Sequence, residues 1–210
     1  MTTPVKILPG YAFQPSPNQS HRTGTAPPSL LVVHYTGALG DMGSQRWLRM
    51  VESEASAHAI ITRTGAVTLL VPLDRAAWHA GASEWKGERG VNRFSIGVEL
   101  CNAGLLAKVP PSADKAQDKA PDEFILAGSR SERPYYGPPP VEATLALRDG
   151  STVTGWWEPY AEEQLAALER LIEDLRTAGY VLELAGHDEI ALPIGRKIDP
   201  GPAFPWARFR

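Results

Sequence analysis

Five histidines occur in this 210-residue chain, at positions 21, 34, 58, 79 and 187, and two of them stand where apolar, strand-like runs give way to polar loop. These are His34, closing Ser29-Leu30-Leu31-Val32-Val33-His34, and His187, which follows the run from Tyr180 to Ala185. Asp199 lies twelve residues beyond His187, in Gly195-Arg196-Lys197-Ile198-Asp199-Pro200-Gly201-Pro202, where prolines and glycines can hold a carboxylate in one irregular backbone shape. Two imidazoles and a carboxylate suit a catalytic zinc, which takes three protein ligands and keeps a fourth position for water, whose pKa it lowers to about 7. The single cysteine, Cys101, excludes an intramolecular disulfide and a cysteine-rich structural cluster. Taken singly, each residue has an ordinary alternative: a core or surface histidine, or a turn former before proline. Cys101 stays open as a thiol nucleophile, although a buried apolar role is commoner for a free cysteine in a strand. The sequence holds no Gly-x-Ser-x-Gly elbow, no Walker-type phosphate loop and no His-Glu-x-x-His helix.

The elements that must position these residues alternate between strand and helix. Residues 29–34 form a short, β-branched apolar run, as a buried strand would. Trp47, Leu48 and Val51 have helical spacing, which predicts a helix over 45–53 with Ser44 as its cap. Residues 56–63 and 66–72 read as two strands joined by Thr64-Gly65, and 94–100 as another. From about 105 to 140 the composition turns to Pro, Ala, Lys, Asp and Ser, which predicts a long loop; Asp149-Gly150 then signals a hairpin between 143–148 and 151–157. Leu165, Leu168, Leu171, Ile172 and Leu175 mark an amphipathic helix stopping before Gly179, and 180–185 a last strand. Residues 1–28, with five prolines between 7 and 28, read as an irregular arm. The expectation is a single α/β domain over 1–210, with a mixed central sheet flanked by helices and an insert over about 105–157.

A formal net charge of −3 gives no broad positive field, so nucleic acid and anionic membrane surfaces are poor partners. No segment approaches a membrane span of roughly 18 apolar residues, and Met1 to Lys6 lacks the apolar run of a signal peptide. The expected location is cytoplasmic, and the expected state a monomer.

Six segments, in order, carry a resemblance: Pro28 to His34; Ser56-Ala57-His58; Ala77-Trp78-His79-Ala80-Gly81; Phe94 to Leu100; Gly186-His187; and Arg196 to Phe204. Together they resemble the zinc-dependent type 2 N-acetylmuramoyl-L-alanine amidases, in their AmpD-like branch, a family that includes phage lysins and peptidoglycan-recognition proteins. The resemblance implies hydrolysis of the amide between the lactyl group of N-acetylmuramic acid and L-alanine, in peptidoglycan or muropeptides. It implies Zn2+ on His34, His187 and Asp199, Glu99 as general base then acid, and Lys197 as stabiliser of the developing oxyanion. Tyr35, Trp78 and His79 are implied as groove residues that contact sugar or peptide, while His58 divides evenly between core hydrogen bonding and a site role.

Two departures stand out from the AmpD-like pattern. About fifty residues separate the strand from Ser95 and the late helix, where AmpD-type enzymes pass almost directly from one to the other. Glu54 occupies a position where they carry an arginine. The role implied is muropeptide recycling or, for an endolysin released to the periplasmic wall by a holin, lysis. The alternative is a non-catalytic peptidoglycan-binding module that keeps the fold without the metal.

Overall fold

The computed structural model describes residues 7–23, 26–110, 122–128 and 133–210. The expectations placed on Met1 to Lys6 and on the middle of the insert, 111–121 and 129–132, lie outside these. The N-terminal arm is more regular than its prolines predict. It carries β1 (Ala12–Phe13) and β2 (Gln19–His21), and is followed by β3 (Leu30–Tyr35). Arg22 pins the arm down by donating to the carbonyls of Leu73, Asn92, Arg93 and Ser95 at 2.9–3.2 Å.

The first helix, α1, spans Asp41–Trp47 and not 45–53; Val51–Ser53 forms a separate 3-10 turn. Ser44 lies inside α1, its hydroxyl donating to the Gly40 carbonyl at 3.1 Å, so it caps nothing. What fixes the start is tertiary: the Asp41 carboxylate, favourably placed at the positive end of the helix, accepts the Arg63 backbone N–H at 2.8 Å. That contact is invisible to local pattern.

Next come β4 (Ala59–Ile61) and β5 (Val67–Leu69), an antiparallel pair about the expected Thr64-Gly65 turn, and β6 (Arg75–Ala77), which pairs with β2. A small ribbon, β7 (Glu84–Trp85) and β8 (Glu88–Arg89), leads to β9 (Ser95–Leu100). The region expected as loop then contributes β10 (Leu105–Lys108) and β11 (Phe124–Leu126) to the predicted hairpin of β12 (Val141–Ala146) and β13 (Thr152–Trp157), giving a four-stranded sheet in the order β11-β10-β13-β12. Helix α2 (Glu162–Thr177) ends at Gly179, where the Tyr180 N–H reaches back to the Leu175 carbonyl at 3.0 Å. That capping role keeps Tyr180 out of the last strand, β14 (Glu183–Gly186), which runs into the single turn α3 (His187–Ile190).

The central sheet is mixed, in the order β1-β5-β4-β9-β3-β14, with β4, β9, β3 and β14 parallel. Its two faces bury different things. Leu31, Val33, Ile96, Val98 and Leu100 pack against Leu165, Leu168, Leu171, Ile172 and Leu175 of α2. Partners in register share a face, so Leu30 opposite Ser95, Val32 opposite Gly97 and His34 opposite Glu99 point the other way. No helix among the described residues is long and apolar enough to cross a membrane.

Candidate metal centre

β3 carries His34 to the edge of the hydrophobic layer, and β14 brings His187 beside it, since Gly186 is the register partner of Val33. Asp199 arrives from the loop after α3 and is clamped on both sides. Its carbonyl accepts the Asp188 N–H at 2.9 Å, and Tyr160 donates to the carbonyl of Pro200 at 2.8 Å. Trp157, buried at the end of β13, supports the next turn: a Cβ at Gly201 would fall 2.7 Å from its ring, so only glycine lets the loop lie there. The insert therefore buttresses the loop that carries Asp199.

The three side chains converge. His34 Nδ1 lies 3.0 Å from His187 Nδ1 and 3.0 Å from an Asp199 carboxylate oxygen, and His187 Nδ1 lies 3.1 Å from that same oxygen. All three residues are buried, and they are the one His/Asp grouping with metal-ligand spacing among the described residues. Zinc bonds of about 2.0–2.1 Å place tetrahedral donors roughly 3.3 Å apart, so small outward shifts would fit the ion. Burial, and then the neighbouring His187, pull His34 down to about 4, while the adjacent Asp199 carboxylate opposes them. Burial pushes Asp199 upward, but the close approach of the His187 and His34 rings outweighs it and holds the carboxyl below its ordinary range. A neutral His34 facing an ionised Asp199 is the protonation pattern a divalent metal requires.

Glu99 stands beside the cluster. Burial, and then the Asp199 charge, push its carboxyl up to about 8 against the pull of Lys197, and its Oε2 has no hydrogen-bond partner among the described residues. Isolating a carboxylate oxygen in this way is costly and makes Glu99 a candidate functional residue. Glu99, Lys197 and the three cluster residues line one open cavity of about 570 Å³.

The aromatic residues divide. Trp78 lines the cavity at 37% exposure, with its indole N–H donating to Ser20 at 3.3 Å. Tyr35 is half-buried, its hydroxyl raised above the usual tyrosine range by burial first and the Asp199 charge second, and it is hydrogen-bonded to the backbone of Leu105 at the start of the insert. His79 also borders the cavity but is buried, and both ring nitrogens are engaged within the protein. Burial, and then His34 and the other imidazoles, pull its pKa well below the ordinary value. His58 is wholly buried, with Nδ1 accepting the Gly97 N–H at 2.9 Å and Nε2 reaching the Arg75 carbonyl at 3.1 Å, which is core hydrogen bonding. Cys101 is buried, and burial raises its thiol above the usual range, which leaves no reactive thiolate.

Two cavity residues escaped the sequence reading. Trp47, expected among the apolar residues of a longer helix, is 52% exposed on the cavity wall; the shortness of α1 is what frees it. Arg196 donates to the carbonyls of Leu192, Ala80 and Ala82 at 2.8–3.0 Å, tying the loop that bears Lys197 and Asp199 to the segment after Trp78. Its place directly before Lys197 was the available signal.

Comparison with known proteins agrees with this geometry. The family model described as N-acetylmuramoyl-L-alanine amidase matches residues 24–202. The chain is 30% identical over 220 residues to 1,6-anhydro-N-acetylmuramyl-L-alanine amidase AmpD of Escherichia coli K12, covering 97% of this chain and 92% of the relative. A solved structure of an AmpD derivative superposes with a TM-score of 0.64 at 27% identity, covering 100% of this chain and 98% of that one. The Escherichia coli amidase AmiD, solved with the substrate anhydro-N-acetylmuramic acid-L-Ala-D-gamma-Glu-L-Lys, gives a TM-score of 0.56 at 26% identity, over 90% of this chain and 59% of that one. This chain belongs to the N-acetylmuramoyl-L-alanine amidase family.

Proposed function

We propose that the chain acts in muropeptide recycling in the cytoplasm, as a monomeric, zinc-dependent amidase that cleaves the bond between the lactyl group of N-acetylmuramic acid and L-alanine. The observation that carries this is the meeting of His34, His187 and Asp199 within one cavity that also holds a Glu99 carboxylate oxygen without a hydrogen-bond partner among the described residues. Similarity over nearly the full length of an AmpD supports a soluble anhydro-muropeptide as substrate in preference to intact wall. His34, His187 and Asp199 would hold the ion, which when bound supplies Lewis acidity toward the scissile carbonyl and the attacking water.

The remaining chemistry falls to side chains already in place. Glu99 takes the proton of the water that attacks the lactyl carbonyl, then returns it to the departing L-alanine amine. A carboxyl held high by burial is suited to this, because its carboxylate is a stronger base toward the water's proton and its pKa lies near the working pH for the return step. Lys197 carries the positive charge that stabilises the oxyanion. Trp78, with Trp47 on the same cavity, offers an indole face to the apolar side of a sugar ring.

The test is mass spectrometry of anhydro-muropeptides and of intact sacculi after incubation with the zinc-loaded protein. Release of free stem peptide beginning at L-alanine from the muropeptide supports the reading. Preferential cutting of sacculi would move the role to wall lysis, and binding of either without cleavage would replace the enzyme with a recognition module.

A further inference from the structure

The two imidazoles of the metal centre are gripped from behind by adjacent residues of one segment. His187 Nε2 lies 3.2 Å from the carbonyl oxygen of Ala80, and His34 Nε2 lies 2.9 Å from Nδ1 of His79. A carbonyl only accepts, so His187 carries its proton on Nε2 and turns a bare Nδ1 toward Asp199. The proton on His34 is fixed by a longer chain of reasoning. The Ser95 hydroxyl donates to the Val91 carbonyl at 2.7 Å, which leaves its oxygen to accept from His79 Nε2 at 2.9 Å. His79 then has its proton on Nε2 and a lone pair on Nδ1, and that lone pair accepts the proton on His34 Nε2. His34 Nδ1 is thereby left bare as well.

Three lone-pair-bearing atoms, two nitrogens and a carboxylate oxygen, thus face one another at 3.0–3.1 Å. Such an arrangement repels itself unless a cation sits among them. The supports of the gripping segment are equally specific. The Asn92 side-chain oxygen accepts the backbone N–H of both His79 and Ala80, at 3.1 and 2.8 Å. The His79 ring lies flat on strand β9 at Gly97, where a Cβ would fall 2.4 Å from the ring's Cγ.

We propose that His79 is a positioning residue for the metal: with Ala80 and Ser95 it fixes the tautomer and aim of both histidine ligands, and it does not serve chiefly as a substrate contact. This rests on the zinc reading above, and zinc affinity separates the two. Partners of this kind are typically worth about 10–100-fold in metal affinity.

The experiment measures the zinc dissociation constant by competition with a chromophoric chelator, for the wild type and for His79→Leu, His79→Asn and Ser95→Ala. His79→Leu is expected to bind zinc about 10–100-fold more weakly. His79→Asn, whose side-chain oxygen takes the place of Nδ1, is expected to recover most of that loss. Ser95→Ala, which frees the His79 tautomer, is expected to weaken zinc about threefold or more. Long-range 15N NMR of the zinc-loaded wild type should show His34 protonated at Nε2. Folded His79→Leu binding zinc within twofold of the wild type, or His79→Asn binding no better than His79→Leu, overturns the proposal. If His79→Leu does not fold, unchanged affinity in Ser95→Ala overturns it. A wild type that fails to bind zinc removes the zinc reading itself.

Discussion

The candidate site has two halves built by different means. His34 and Glu99 sit opposite each other on parallel strands, and His187 follows one step past a third, so their spacing is set by the backbone ladder of β9, β3 and β14. Lys197 and Asp199 come instead from an irregular loop held by Arg196, Tyr160 and the Asp188 N–H. The first half inherits its precision from the sheet, while the second must be fastened contact by contact. The difference teaches that a reactive group carried on a loop requires neighbours whose only visible task is to hold the loop still.

The largest expected effect comes from removing the loop's proposed ligand. Asp199→Ala should abolish stoichiometric zinc binding by elemental analysis and lower kcat/KM more than about 10³-fold, a loss that separates the halves only if the sheet-borne fold survives by circular dichroism. Retention of one zinc per chain would show that the sheet half suffices. Next, Glu99→Gln should cost about 10²–10⁴-fold in kcat with zinc content intact. Lys197→Ala, on the loop, should cost about 10²–10³-fold in kcat, also with zinc retained. Loss of metal in either variant would mean that the residue holds the site and does not act in it.

The smallest effect concerns the sheet-borne half without metal. His58 is held at about 3 by burial and, secondarily, by Arg22, against an ordinary value near 6.5. The unfolded chain therefore binds a proton that the folded one refuses between those two values, and stability rises with pH across that window. The zinc-free protein should lose stability on acidification from pH 6.5 toward 3, at a slope approaching about 1.4 kcal/mol per pH unit from this imidazole. Urea unfolding at pH 7, 5.5 and 4.5 should show the trend, and His58→Gln should flatten it; identical slopes would place the acid sensitivity elsewhere.

The same division explains what the sequence made legible. The apolar runs at 29–34 and 94–100, the spacing of α2 and the Asp149-Gly150 turn are local signals, and each reappears as structure. The start of α1 depends on Arg63, and the pairing of β10 with β13 joins residues far apart in sequence, so neither leaves a local trace. The two imidazoles of the candidate metal cluster could be picked out as strand ends. The part played by His79 could not, because its meaning lies in which nitrogen faces His34 and which faces Ser95.

Trp157 belongs to the stretch that looks, by length alone, like an accessory addition, yet its indole fills the hollow beneath Gly201. The frontier between framework and addition is therefore not the one that an alignment of lengths would draw. A chimaera or minimised enzyme that removes the four-stranded sheet needs its seam placed before this tryptophan, or a new bulky residue to replace it. Cut elsewhere, a shortened chain would keep its six-stranded frame and lose the alignment of Asp199.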